Sequence, residues 1–386
     1  MRDFTFYVPT QIIFGQDSLQ RLGEQVQRYA RRALLLYGKG SIKKSGLYQR
    51  VVAQLQAHEV EFVELSGVDP NPRIDTVREG AALCRQHRLE FILAVGGGSV
   101  IDCAKGIAAA ALYEGDPWDF WEYKVRPEQA LPVGAVLTLS ATGSEMNSGT
   151  VVSNPATEDK RGMGGPALFP RFSILDPSLT FSVPPEQTAA GVADIMTHVY
   201  EFYFTPVKHA YLQDGFAEAI LRTCVRYGPI AYRQPEDYDA RANLMWASSM
   251  ALNGVVSAGK LFDGFNHLVE HVFSAFYDLT HGTGLAILAP HWMAYILDAE
   301  TRGKFAAFAR NVWGLSGPDD EALARQGIQA TRDFYRSLGL PSSFSEVGIG
   351  GERFEEIAAR AMRGETLGQA KKLRQPDVLN ILRMAQ

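Results

Sequence analysis

Apolar positions in the first third of the chain follow two alternating rhythms. Unbroken apolar runs at residues 33–37 (ALLLY) and 91–95 (FILAV) alternate with stretches whose apolar residues return every three or four positions. The unbroken runs read as strands buried on both faces, and the spaced stretches as amphipathic helices laid over them. Helical spacing covers residues 19–29, 44–57, 75–87 and 100–112, and further strands are expected at 61–65 and 133–139. The opening FTFYV and QIIFG predict two short strands around Pro9, paired as an edge hairpin. After Asp176-Pro177 the alternation stops. SVPPEQTAAGVAD puts two prolines at a helix entry, and helical spacing then dominates at residues 188–204, 211–227, 240–253, 262–284, 318–338 and the tail. The expected architecture is an α/β domain with a Rossmann-like parallel sheet over residues 1–182, followed by an all-α domain over 183–386.

Composition narrows the class. The chain has 386 residues, 46% hydrophobic and 21% charged, with a net charge of -5, as expected of an ordinary globular protein with a sizeable core. Charges of both signs are mixed, which argues against nucleic acid or an anionic membrane as partner. MRDFTFYVPTQ lacks a signal-peptide pattern, and the apolar stretch GLAILAPHWMAYIL is interrupted by Pro290 and His291. Cys84, Cys103 and Cys224 are far apart and show no CxxC spacing, so a reduced, cytoplasmic setting is expected.

Three glycine- or hydroxyl-rich turns carry a nucleotide signal. Gly96, Gly97, Gly98 and Ser99 stand where a buried strand meets a helix, where backbone N–H groups and the helix dipole suit a dinucleotide pyrophosphate. Asp102 and Lys105, one turn further, either reach the ligand or pair with each other. In the first crossover, Tyr37-Gly38-Lys39-Gly40-Ser41, the strand end that holds a ribose-binding acid in many nucleotide folds holds Gly38. With Ser41, Lys43 and Lys44 following as donors, that favours NADP(H) over NAD(H). The loop 138–150 (TLSATGSEMNSGT) offers small hydroxyls beside Gly143 for ribose or nicotinamide, and Lys160 is a candidate phosphate partner.

A second constellation is rich in imidazole. His267, His271 and His281 fall within one short stretch, and the glycines of THGTG read as the helix ending in a loop that carries His281. Upstream, Asp194 and His198 are spaced i, i+4 and share a helix face. Asp194, His198, His267 and His281 make a set of one carboxylate and three imidazoles, which suits Fe(II) or Zn(II) better than Mg or Ca. Phe262, Phe265, Phe273 and Tyr277 nearby suggest an apolar surround.

GGGSVIDCAK, TLSATGSE, the DIMTH pair and NHLVEHVFSAFYDLTHGTG together resemble the signature blocks of the iron-containing (metal-dependent) alcohol dehydrogenases, on the branch of butanol dehydrogenases and NADPH-dependent aldehyde reductases. The resemblance runs from Phe4 into the last hundred residues. It implies an N-terminal dinucleotide domain and a C-terminal helical domain with a metal between them. Asp194, His198, His267 and His281 match the metal ligands, and His271 a histidine with a proton-relay or positioning role. Gly97, Gly98 and Ser99 match the pyrophosphate loop, Thr138 and Thr142 nucleotide contacts, Lys160 a lysine near the phosphates and Leu179 an apolar cofactor contact. Gly38 replaces the aspartate of NAD-using relatives. The chain departs from the family's frequent TTAGTGSE at Leu139 and Ser140, the latter retained as a contact. The implied activity is reduction of small, fairly apolar aldehydes, or oxidation of primary alcohols, by hydride transfer, in a homodimer. A glycerol-dehydrogenase-like polyol oxidoreductase, a dehydroquinate-synthase-like lyase and a catalytically silent metal- and nucleotide-binding scaffold are the alternatives.

Overall fold

A computed structural model describes residues 1–362 and 364–386. The chain forms two compact units, one of Tyr7–Val183 with Pro235–Met245, the other of Met1–Phe6, Pro184–Gln234 and Trp246–Gln386.

The first unit is α/β. Its elements run β1 (Gln11–Phe14), α1 (Leu22–Gln27), β2 (Arg32–Gly38), α2 (Ser41–Lys44), α3 (Leu47–Ala57), β3 (Glu61–Val68), α4 (Ile74–Gln86), β4 (Phe91–Gly96), α5 (Gly98–Ala110), β5 (Val133–Leu137), β6 (Gly149–Asn154), β7 (Asp159–Gly164) and β8 (Phe172–Leu175). Six strands pair in the order β1-β8-β5-β4-β2-β3, every pair parallel. The unbroken apolar runs serve this sheet on both faces. Leu34, Leu36, Ile92 and Ala94 pack on one side with α4 and α5, while Ala33, Leu35, Tyr37, Phe91, Leu93 and Val95 pack on the other with α1 and α3. The chain leaves β2 for β3 in one direction and returns to the other side of β2 as β4. In parallel sheets of this kind the carboxyl ends of the strands at such a reversal, here β2 and β4, are the usual ligand position.

Two expectations need correction here. Residues 1–10 carry no regular element, so FTFYV is not a strand and there is no hairpin. Its neighbour β1 instead pairs in parallel with β8, Gln11 opposite Phe172. The antiparallel ribbon β6-β7 was not anticipated, nor was β8.

The second unit is helical: α6 (Pro185–Tyr203), α7 (Tyr211–Arg233), α8 (Tyr238–Leu252, whose first half belongs to the α/β unit), α9 (Phe265–Tyr277), α10 (His281–Ile296), α11 (Arg302–Trp313), α12 (Asp320–Ser337), α13 (Phe354–Ala361) and α14 (Gln375–Met384). α6 is buried along its whole length from Thr188 to Tyr203, so it is the central helix rather than a surface one. Aromatic stacks fill the core of this unit, with Phe204 on Phe305 at 4.1 Å and Phe273 on Phe344 at 3.9 Å between ring centroids. Pro290 lies inside α10, which continues past it. Among the described residues no helix is long and apolar enough to cross a membrane. Cys84, Cys103 and Cys224 are all buried and free.

Candidate metal centre and nucleotide loops

Three helices aim the histidine cluster. Asp194 and His198 occupy one face of α6, and His267 and His271 one face of α9. His281 was expected in a loop after a helix end. It is instead the first residue of α10, and the glycines that suggested a break lie inside that helix's first turn. Their reason is packing. A Cβ on Gly282 would lie 2.0 Å from the carbonyl oxygen of Ala190, so only a hydrogen allows α10 to press against the α6 backbone one turn before Asp194. A Cβ on Gly284 would lie 2.7 Å from Cγ of Glu270.

The donors converge on Asp194. Its Oδ1 lies 3.5 Å from His198 Nδ1, 3.6 Å from His267 Nε2 and 3.7 Å from His281 Nε2. Donor atoms of Asp194, His267 and His281 all fall within 4.8 Å of one another. His198 stands outside that triple, its ring stacked on His267 at 4.5 Å. A tetrahedral ion with bonds of about 2.0–2.2 Å separates its ligands by about 3.3–3.6 Å, close to the spacings around Asp194. Asp194 Oδ1, His198 Nδ1 and His267 Nε2 are buried and have no hydrogen-bond partner in the protein. Buried polar atoms rarely stay unsatisfied, and one oxygen with converging imidazole nitrogens is the donor set of a borderline divalent cation. The residues present fit such an ion.

Electrostatics set the imidazoles apart. Burial works to raise the Asp194 carboxyl, but the imidazoles around it prevail and hold it well below the usual range. Burial pushes His198 down to about 3 against the pull of Asp194, so its ring is neutral and its lone pair available at neutral pH. His267 behaves oppositely. Burial would lower it, yet Glu201 and Asp194 raise it to about 10.

Two glutamates escaped the sequence reading. Glu201 Oε2 lies 2.6 Å from His267 Nδ1, and its Oε1 accepts the backbone N–H groups of Asn266 and His267. Glu270 Oε2 contacts His281 Nδ1, and Ser274 Oγ donates to its Oε1. Glu270, His271 and His281 also bring donor atoms within 4.8 Å of one another. The visible signal was a lone acid inside each apolar helix segment, THVYEFYF and NHLVEHVF. Of the four aromatic residues expected around the ligands, Phe262 neighbours His267 at 6.3 Å between rings. Phe265 and Phe273 instead build the helical core against Trp292 and Phe344, and Tyr277 lies against Phe273.

In the α/β unit the expected nucleotide residues gather at strand ends. Gly97 caps α5, whose first turn begins with Gly98 and Ser99. A Cβ on Gly98 would meet Thr142 Oγ1 at 2.2 Å, which is how the segment after β5 closes over the α5 terminus. Thr138 donates its N–H to Gly96 at 3.0 Å. Ser140 and Thr142 follow in the same half-buried segment, and Leu179 packs against the sheet in the turn after β8. The Asp102 carboxylate is committed within the protein, to Ser144 Oγ and to Val151 N–H at 2.9 Å. Lys160, buried in β7, contributes charge near Asp102. Fully buried Lys105 donates to Ser144 Oγ and the Gly149 carbonyl, both at 2.8 Å, and to Asn147 Oδ1 at 3.2 Å.

Gly38 ends β2 opposite Val68 of β3, with Gly40 (φ 140°) and Ser41 starting α2. The structure adds an acid there that Gly38 alone did not reveal. Asp69, next after β3, pairs with Lys39 at 2.6 Å and Arg73 at 3.1 Å. The Lys39 hydrogen bond, with Arg73, holds the Asp69 carboxyl below its usual value against burial. The adjoining Pro70 carbonyl accepts from Ser99 Oγ, so the DPNPR segment ties the Gly38 loop to the β4-α5 turn.

Comparison with known proteins places the chain in a family. Residues 9–177 match the family described as iron-containing alcohol dehydrogenase, and residues 188–386 its C-terminal family. NADH-dependent butanol dehydrogenase A of Clostridium acetobutylicum is 49% identical, the match covering 99% of each chain. The NADPH-dependent aldehyde reductase YqhD of Escherichia coli is 40% identical over 91% of this chain and 90% of its own. The crystal structure of NADH-dependent butanol dehydrogenase A from Thermotoga maritima superposes with a TM-score of 0.95 at 40% identity, covering 100% of this chain and 99% of that one. This chain is an oxidoreductase of the iron-containing alcohol dehydrogenase family.

Proposed function

We propose that the protein is a metal-dependent, NADP(H)-linked aldehyde reductase and alcohol dehydrogenase for small, fairly apolar aldehydes and primary alcohols of the butanal and butanol type. The observation that carries this reading is the convergence of three imidazole nitrogens on Asp194 Oδ1 at 3.5–3.7 Å. Asp194, His267 and His281, with His198 Nδ1 as fourth donor, hold one divalent ion, Fe(II) or Zn(II). When bound, the ion supplies Lewis acidity toward a carbonyl oxygen and the nicotinamide supplies hydride. The chain's own residues do the rest. Gly97, Gly98 and Ser99 hold the pyrophosphate at the α5 terminus. Thr138, Ser140, Thr142 and Leu179 position the rest of the cofactor, Lys160 supplies positive charge near the phosphates, and Asp102 braces the loop through Ser144. His271, one turn along α9 from His267 and 7% exposed, carries the proton.

For cofactor choice, a side chain at Gly38 would touch only the Val68 carbonyl, at 3.6 Å, so the strand end is open. Asp69 is outnumbered by Lys39 and Arg73, which leaves this end cationic and suited to a ribose phosphate. The relatives are named for both cofactors, NADH at 49% identity and NADPH at 40%. The test is loss of NADPH absorbance with butanal. Metal-loaded protein turns over, chelator-treated protein does not, and kcat/KM is higher with NADPH than with NADH. Full activity after complete metal removal would overturn the metal assignment, and a ratio favouring NADH would overturn the cofactor assignment.

A further inference from the structure

The two buried glutamates stand in the same relation to two different histidines. Glu201 lies one turn beyond His198 on α6 and is fully buried; its Oε2 faces His267 Nδ1 at 2.6 Å. Glu270 lies one turn beyond His267 on α9, is also fully buried, and faces His281 Nδ1. A carboxylate at Nδ1 keeps one ring proton on that nitrogen, so Nε2 is the nitrogen that gives up its proton and offers a lone pair when a cation binds. In both rings Nε2 is the atom directed at Asp194, at 3.6 and 3.7 Å. Both carboxylates are themselves held, Glu201 by the backbone N–H groups that open α9 and Glu270 by Ser274.

We propose that Glu201 and Glu270 are paired positioning residues that fix the tautomer and aim of His267 and His281 for a divalent ion. This rests on the metal reading above. Carboxylate–histidine pairs of this kind raise the basicity of the ligating nitrogen and set its direction. They also place three carboxylates, counting Asp194, around one cation. A divalent charge thereby takes up most of an otherwise unfavourable buried negative cluster. Gly284 belongs to the same device, because a Cβ there would displace the Glu270 side chain.

The test compares Glu270→Gln, Glu201→Gln and Ser274→Ala with wild type. Metal affinity is read by chelator competition, and ligand geometry by the visible spectrum of the Co(II)-loaded protein. Glu270→Gln keeps the shape and an acceptor but removes the charge. It should weaken metal binding by about 10–100-fold and alter the Co(II) spectrum, while the metal-free melting temperature stays near wild type. Ser274→Ala should do the same to a smaller degree. Glu201 also caps α9, so if its variant fails to fold, the other two decide the matter. Unchanged affinity and spectrum in folded Glu270→Gln and Ser274→Ala proteins would overturn the inference. Wild-type protein that binds no metal would instead sink the metal reading beneath it.

Discussion

Replacing Gly282 by alanine puts the packing of α10 on α6 to a quantitative test. The new Cβ would sit 2.0 Å from the Ala190 carbonyl oxygen and 2.5 Å from its carbon, both backbone atoms with no rotamer to yield. Ordinary contact begins at 3.4 Å, so the two helices must part by about 1.4 Å locally. Overpacking of this kind costs about 1–3 kcal/mol, with the backbone clash placing it at the upper end. Alanine's helix propensity returns about 1 kcal/mol, leaving a net loss of about 2 kcal/mol. The same movement carries His281 away from Asp194, and a shift of about 1 Å in a reacting constellation costs about a hundredfold in rate. Urea unfolding with metal-free protein reads the first number, and kcat/KM for butanal the second. Gly215→Ala in α7 is the control, since nothing lies within 4 Å of its Cβ position. That variant should gain about 0.4–1 kcal/mol and keep full activity. If Gly282→Ala behaves like Gly215→Ala in both assays, the bare hydrogen at Gly282 does not set the approach of α10 to α6.

Other outcomes follow from the same geometry. His271→Ala should retain one metal per chain by elemental analysis yet lose kcat; loss of the metal would make His271 a ligand. Gly38→Asp should lower NADPH use relative to NADH by at least about tenfold through like-charge repulsion, while Asp69→Asn, which frees Lys39 and Arg73, should move the ratio the other way; steady-state kinetics with both cofactors decides. Burial lowers Lys105 from 10.5 to about 8. The folded state therefore holds this proton less tightly than the unfolded chain. The penalty is complete below pH 8 and is relieved as pH rises toward 10.5, a gain of about 3 kcal/mol by linkage. Wild type should therefore gain stability relative to Lys105→Met across that window, and a difference independent of pH would refute the linkage.

The α/β unit was legible where its strands are long and apolar, because ALLLY and FILAV admit no other buried role. It was illegible where pairing is non-local or polar. FSIL is only four residues long and pairs with β1, far away in the chain, while GTVVSN and DKRGMG carry glycines and charges that mask a ribbon held by backbone bonds. At the imidazole cluster, spacing and residue type were enough to nominate the histidines. What they hid was tertiary. Gly282 looks like a helix breaker until Ala190 is opposite it, and Glu201 and Glu270 look like ordinary helix acids until a histidine nitrogen faces each. Asp69 illustrates the same limit, since only the β2-β3 register brings it beside the Gly38 loop.

The fate of the thiols has a chemical consequence. Burial pushes the Cys84 thiol up to about 12, and Cys103 and Cys224 still higher, far from the thiolate form that reacts. Small aldehydes are electrophiles that cysteine thiolates trap as hemithioacetals. An enzyme that handles them at high concentration would be modified by its own substrate wherever a thiolate met solvent. With Cys84, Cys103 and Cys224 inside the core, this protein presents no such thiolate to solvent.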